Sequence, residues 1–288
     1  MAADNLIIGA FTNYNYNQLK PWVESICQLP NSSNIDKVMV VGNASTETIN
    51  ELKKRDFKIV PMPNINLPIH VGRFVAIYEY LRENFEKYEY VVTTDVKDVY
   101  FQTDPFVWLY DYLDFDEKTL VAGSESMLYK DEPWGNENLL QTYGPYIHNI
   151  FKENEIYNVG TIGGFSEYVK DLVFNIFTNA INRPIPIVDQ AVYNVLLQTQ
   201  PYKDKTYFAK QSEGWACQAG TTVDPSKIDK FRPFLLEAEP FFKDGIVRTS
   251  YGEIFCIVHQ YDRVPEWKKF VQEKYGQENE SDYFTYRV

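Results

Sequence analysis

Three cysteines in 288 residues, Cys27, Cys217 and Cys256, are too few and odd in number for a disulfide framework, and no Cys-x-x-Cys pair is present. The thiols fit a reducing compartment. Basic residues are also short: 28 Lys and Arg stand against 40 Asp and Glu, giving a formal net charge of -12 and a pI near 4.8. That balance excludes a general affinity for nucleic acid or anionic membranes, and no nucleic-acid partner is expected. A phosphate ligand then needs a local device, such as a metal ion or one aimed arginine. Long apolar runs are missing, so no transmembrane segment and no signal peptide are expected. The expected location is cytoplasmic, or that of a domain separated from an anchor. Several catalytic signatures are absent as well: no Gly-x-Gly-x-x-Gly fingerprint, no phosphate-binding Gly-Lys-Ser/Thr loop, no His-Glu-x-x-His zinc helix and no Gly-x-Ser-x-Gly elbow.

What the chain has in plenty is aromatic side chains, 22 Tyr, 19 Phe and 5 Trp. Such rings pack cores, and they also stack on bases and on the apolar faces of sugars. Hydrophobic residues make up 44%, enough for a sizeable core.

Along the first half, strand and helix signals alternate. Leu6 to Phe11 is a short continuous apolar run, as in a strand buried on both faces. Asn15 or Asn17 can cap a helix whose apolar stripe is Leu19, Trp22, Val23 and Ile26. Strands over Val38 to Gly42 and Phe57 to Val60 flank a polar helix from Ser45 to Arg55. Past Pro61, Pro63 and Pro68, a helix from His70 to Phe85 is expected to bury Phe74, Ile77, Leu81 and Phe85, and a fourth strand spans Tyr88 to Thr94. This spacing predicts an α/β fold: a mixed, mostly parallel, Rossmann-like sheet with helices on both faces.

The second half is less regular. Strands are expected at Leu120 to Gly123, Val159 to Gly164 and Ile254 to Val258. Helices are expected around Val169 to Ile176, capped by Ser166, from Asp189 to Gln198, and from Pro265 with Trp267, Phe270 and Val271 inward. One domain over residues 1–275 and a polar tail over 276–288 complete the reading.

Ligands of open parallel sheets bind outside the carboxyl ends of the strands. The fourth strand ends there in Asp95-Val96-Lys97-Asp98. Two carboxylates in one short turn repel each other unless a cation sits between them, and Mg²⁺ or Mn²⁺ take such oxygen ligands; ordinary turn and cap roles compete with this. Arg73, in the first turn of the preceding helix, faces the same rim. It can pair with a phosphate, or with Asp95 or Asp98 themselves.

These residues resemble a known family. The apolar strand and Asp-rich turn, continued by Val99-Tyr100-Phe101-Gln102-Thr103-Asp104-Pro105, look like the metal-binding region of GT-A-type nucleotide-diphospho-sugar glycosyltransferases. Asn158-Val159-Gly160-Thr161-Ile162-Gly163-Gly164 is similar to the Asn-x-Gly strand near the donor sugar. Asp189-Gln190 resembles the Asp-Gln helix start, and Val258-His259-Gln260-Tyr261 the late strand whose His completes metal coordination. The match spans most of residues 5–275 in family order, and is nearest the retaining, glycosyltransferase family 8-like branch.

The resemblance implies a UDP-sugar or another nucleotide-diphosphate sugar as donor, and a glycan or small hydroxyl acceptor. It implies Mn²⁺ or Mg²⁺ held by Asp98, Asp95 and His259. Arg73, Asn158, Gly160, Gly164 and Arg263 are implied around the donor, and Asp189 and Gln190 near the transferred sugar. The loop Phe11-Thr12-Asn13-Tyr14 is the implied base site. The spacing departs from the family: Asp-x-x-Asp stands where Asp-x-Asp is usual, with Val96 on the first Asp position. Each residue also has an ordinary alternative, Asp189 as a helix cap, His259 as a hydrogen-bonded strand residue, Arg263 as a solvated loop residue and Trp215 as core rather than an acceptor platform. Two rivals at the level of function are a sugar-phosphate nucleotidyltransferase, whose Gly-rich basic loop is missing after the first strand, and a non-catalytic carbohydrate-binding protein.

Overall fold

Strand β1 (Asn5–Phe11) explains why an unbroken apolar run is needed, since each of its faces meets a separate layer of helices. Leu6 and Ile8 join one core cluster and Ile7 and Phe11 the other, as expected from the two-residue period of a strand. The computed structural model describes residues 4–63 and 67–278.

The chain continues through α1 (Tyr16–Cys27), β2 (Ile35–Val41), α2 (Thr46–Lys53), β3 (Lys58–Pro61), α3 (Ile69–Asn84), β4 (Tyr90–Thr94), β5 (Val99–Phe101) and α4 (Pro105–Leu113). Next come β6 (Leu120–Leu128), α5 (Pro133–Phe151), β7 (Glu155–Phe165), α6 (Ser166–Ala180) and α7 (Asp189–Leu197). The last third holds α8 (Tyr202–Lys205), β8 (Thr206–Ala209), β9 (Ala216–Gln218), α9 (Ala219–Thr222), α10 (Ile228–Phe231), the hairpin β10 (Phe241–Lys243) and β11 (Ile246–Arg248), β12 (Ile257–His259) and α11 (Pro265–Tyr275). No helix among the described residues is long and apolar enough to cross a membrane.

Seven strands form one mixed, mostly parallel sheet in the order β3-β2-β1-β4-β7-β6-β8, in which β7 alone runs antiparallel to its neighbours. Helices α1, α2 and α4 cover one face through Leu19, Trp22, Leu52 and Leu109, and α3, α6 and α7 the other through Phe74, Ile77, Leu172 and Val192. The expected α/β architecture is therefore present. A second sheet, β5-β12-β9, packs around Tyr100, Val258 and Cys217.

Local signals behaved as expected at several helix starts. Asn15 closes a capping box with Gln18, Ser45 caps α2, and Pro265 opens α11. Other expectations need correction. Ser166 is the first helical residue of α6, and the cap position falls to Phe165, which offers no side-chain bond. Phe85 lies past the end of α3 and is only half-buried, its ring covered by the Lys170 ammonium. The late strand begins at Ile257 rather than Ile254. Strand β5 and helices α4 and α5 were not anticipated; α5 is interrupted at Gly144 (φ 76°, ψ 173°), just before Pro145. Of the polar tail, residues 279–288 lie outside the described residues. Residues 276–278 are held to α1, where Lys20 donates to the Gly276 carbonyl (2.7 Å) and the Glu278 amide to Asn17 Oδ1 (2.8 Å).

Candidate functional site

A cleft of about 870 Å³ opens at the carboxyl ends of β1 and β4, where the rule for parallel sheets puts a ligand. Its floor is built by two neighbouring strands. Asp95, just past β4, donates its amide to the carbonyl of Gly160 on β7 (3.0 Å), so the end of β4 lies against the Asn158–Gly160 segment. Seven carboxylates line the cleft (Asp95, Asp98, Glu125, Glu132, Asp189, Asp224 and Asp262) against four cations (Arg73, Lys97, Lys227 and Arg263). An anionic ligand can enter such a site only with a compensating positive charge.

Asp95, Asp98 and His259 present ligand atoms that all lie within 4.8 Å of one another. His259 Nε2 is 3.4 Å from Asp95 Oδ2 and 3.7 Å from Asp98 Oδ1. The turn brings both carboxylates to this point because Val96, the first of the two residues between them, turns the other way. Val96 is buried against Gly9 and Trp22, while Asp95 and Asp98 remain at the rim. His259 arrives from the small sheet, where β12 pairs it with Gln218 of β9 and Val99 of β5.

The other imidazole nitrogen fixes the tautomer. Gln218 donates through Nε2 to the Thr161 hydroxyl (3.0 Å), which leaves its Oε1 to accept from His259 Nδ1 (2.9 Å). The lone pair of Nε2 then faces the carboxylates, the arrangement typical of a histidine metal ligand. Burial pushes the His259 pKa down; Asp98, Glu125 and Asp262 pull it up, and burial prevails, so the ring is held neutral. Gly160 leaves room for all of this. A Cβ there would meet Asp95 Oδ2 and His259 Cε1 at 2.8 Å and Asn158 Oδ1 at 2.9 Å. Two carboxylates and a neutral imidazole fit a Mn²⁺ or Mg²⁺ ion.

Arg73 realises its ordinary alternative: its Nη1 bonds Asp95 Oδ1, and its Nη2 pairs with Asp189 Oδ2 at 3.0 Å. Its Nε is buried with no hydrogen-bond partner among the described residues. Asp189 is the first residue of α7 rather than its cap, which is Val188, and its carboxylate lies at the cleft.

Behind this pair stands Glu125, which sequence patterns did not single out. It accepts from Asn158 Nδ2 (2.8 Å), Gln190 Nε2 (2.7 Å) and Thr221 Oγ1 (2.7 Å). Its pointing into the cleft follows from a break in the β6–β7 register after Ala122, with Ser126 at φ 56°. The two amides are thereby fixed: Asn158 Oδ1 accepts the Gly160 amide (2.7 Å) and Gln190 Oε1 the Val159 amide (2.9 Å).

The structure brings Tyr14, Arg73, Asp95, Asp98, Asn158, Asp189, Gln190, His259 and Arg263 to one cleft, with Gly160 beneath Asp95 and His259. It leaves others apart. The Phe11 ring is closed in the core, Thr12 Oγ1 accepts the Asn43 amide (3.1 Å), and Asn13 Oδ1 accepts from Asn43 Nδ2 (2.8 Å); none of the three lines the cleft. Gly164 lies farther along β7, paired with Val91 and Leu120, where a side chain would strike the Thr119 carbonyl; its glycine serves strand packing. Trp215 is fully buried and donates to the Thr161 carbonyl (3.1 Å), which excludes a role as an acceptor platform.

Compared with known proteins, the chain matches no family model, and no curated sequence matches it.

Proposed function

We propose that the chain is a metal-dependent GT-A-type glycosyltransferase, moving a sugar from a nucleotide-diphosphate donor, with UDP-sugar favoured, to an acceptor hydroxyl. The observation that carries this reading is the convergence of Asp95, Asp98 and the free lone pair of His259 Nε2 at the carboxyl edge of the sheet. The cleft around them, about 870 Å³, falls within the usual range for small-molecule and cofactor sites. Asp95, Asp98 and His259 are the residues that would hold Mn²⁺ or Mg²⁺, and the bound ion would offset charge on a departing diphosphate.

The chain's own residues supply the rest. Arg73, fastened between Asp95 and Asp189, keeps a fixed positive charge beside the carboxylates, and Lys97, over the Tyr14 ring, and Arg263 add two more to the cleft lining. Asp189, which pairs with Arg73 and lines the cleft, would offer its carboxylate as a hydrogen-bond acceptor to a sugar ring next to the diphosphate. Asn158 and Gln190, both locked by Glu125, hold the Val159–Gly160 backbone in place against it. In the transfer, the acceptor hydroxyl oxygen bonds the anomeric carbon. The bond from that carbon to the diphosphate oxygen breaks, its electron pair stays on that oxygen, and the hydroxyl proton passes to it. Such a front-side route needs no strong protein base, in keeping with the retaining branch that the motifs resemble.

The test is a thermal-shift panel of UDP, GDP and CDP with and without Mn²⁺. Ligand at 100 times its Kd stabilises the native state by about 2.7 kcal/mol, a rise of about 5–10 °C for a chain near this size. UDP with Mn²⁺ should give this shift, and Asp98→Asn should remove it at near wild-type stability. No shift with any of the three, or a shift that Asp98→Asn retains, refutes the reading. Conversion of a UDP-sugar to UDP then separates an enzyme from a binding protein of the same fold.

A further inference from the structure

Four of the five tryptophans are shut into the core, Trp22, Trp108, Trp215 and Trp267, none more than 7% exposed. Trp134 is 54% exposed and lines the cleft. A large indole left in solvent at the edge of a polar cleft is the kind of exposed apolar surface that calls for a ligand.

The backbone that carries this indole is fixed at a helix start. Trp134 lies in the first turn of α5, directly after Pro133, whose ring presets the helical backbone. Glu132 caps the turn by accepting the Gly135 amide, and Gly135 packs tightly over Glu132, Ile156 and Tyr129. Glu132 lies close to Lys227 and to Glu125, which accepts from the Thr221 hydroxyl, and the same cleft is lined by Asp224 and Ser226. The cleft that holds Asp95, Asp98 and Asp189 thus also contains one exposed aromatic face with polar groups in the same lining.

We propose that the Trp134 part of this cleft is the acceptor subsite and that it takes a neutral carbohydrate, one pyranose ring lying on the Trp134 indole. The name acceptor rests on the glycosyltransferase reading; the ligand class rests on the wall itself. Its charged groups are Glu125, Glu132 and Asp224 against Lys227, a balance that opposes an anionic occupant such as a phospholipid headgroup or an acidic peptide. A hydroxyl-rich ring with apolar C–H faces satisfies both the indole and the polar wall without adding charge.

Saturation-transfer NMR with UDP and Mn²⁺ present tests this, using methyl glycosides of glucose, galactose, mannose, N-acetylglucosamine and glucuronic acid, plus lactose and maltose. At least one neutral glycoside should bind wild-type protein. Trp134→Ala should weaken it about tenfold, and Trp134→Phe, which keeps an aromatic face, should stay within about threefold. The melting point and the UDP–Mn²⁺ shift should be alike in all three proteins. The proposal is overturned if no neutral glycoside binds, if Trp134→Ala binds as wild type does, or if the glucuronide binds as well as the glucoside. Should wild-type protein show no UDP–Mn²⁺ shift, the donor reading fails on its own, and glycoside binding to wild type against Trp134→Ala still decides the subsite.

Discussion

Gly160→Ala puts the candidate metal centre to its most direct steric test. The glycine is not in a left-handed conformation, so alanine meets no backbone objection, and the whole effect must come from one methyl group. That methyl would lie 2.8 Å from both Asp95 Oδ2 and His259 Cε1, about 0.6 Å inside ordinary contact, which begins at 3.4 Å. Metal ligands must sit within about 0.2 Å of their proper distances, so relief by moving either side chain exceeds what the donor set tolerates. Overpacking of this size costs about 1–3 kcal/mol, a fall of roughly 2–10 °C in Tm for a chain near this size. The expected result is a folded protein with a modestly lower Tm and no Mn²⁺-dependent UDP shift. Isothermal titration of Mn²⁺ in the presence of UDP gives the affinity directly. A Gly160→Ala protein that binds Mn²⁺ and UDP with wild-type affinity would show that the cluster is not the metal centre.

Three further outcomes follow from other parts of the molecule. Gln218→Leu removes the acceptor that orients His259 Nδ1, and Mn²⁺ affinity should fall about 10–100-fold; unchanged affinity in a folded variant would deny the orienting role. Gly72→Ala, inside α3 with its nearest neighbour at an ordinary 3.8 Å, should raise stability by about 0.5–1 kcal/mol in a urea titration, and a loss would expose a clash that is not seen. Burial pushes the Glu155 carboxyl above 4.5, with Glu237 raising it further while Ser124, Tyr157 and Lys210 oppose. A carboxyl whose folded pKa is raised contributes fully below 4.5 and loses that contribution as pH climbs through the raised value. Wild-type Tm should therefore decline over that window relative to Glu155→Gln, and parallel pH profiles of the two would contradict the assignment.

The central strands were legible because they are buried on both faces, and runs such as Leu6 to Phe11 and Tyr90 to Thr94 have no competing pattern, whereas the short, half-buried edge strand β8 was not expected. Asp95, Asp98 and His259 were grouped in the sequence by the motif resemblance, and the order of the strands is what brings their ligand atoms together. Helix α5 was hidden by Gly144 and Pro145, which signal a break, and do break it, in the middle of a helical stretch. Glu125 was hidden for a different reason. Its orientation depends on a register shift between β6 and β7, which leaves no mark in the alternation of one strand. Gln218 is bound to His259 across 41 residues, and nothing in the local sequence links the two. Trp134 could have been found from Glu132-Pro133, a cap and first-turn signal that fixes an aromatic at a helix start.

The two sheets share the candidate centre unequally. Asp95 follows β4 of the large sheet, whereas His259 belongs to β12 of the small one, and Asp98 sits on the short link between β4 and β5 that joins them. The triangle of donor atoms therefore measures the position of one sheet against the other. Sliding the small sheet by half an ångström alters two of its three edges and also carries Val99, Phe101, Ala216 and Ile257, which pack in the same hydrophobic layer as Ile7 and Trp22 of the large sheet's α1 face. An ion held by these three residues would report inter-sheet register through its affinity, because its donors come from both sheets.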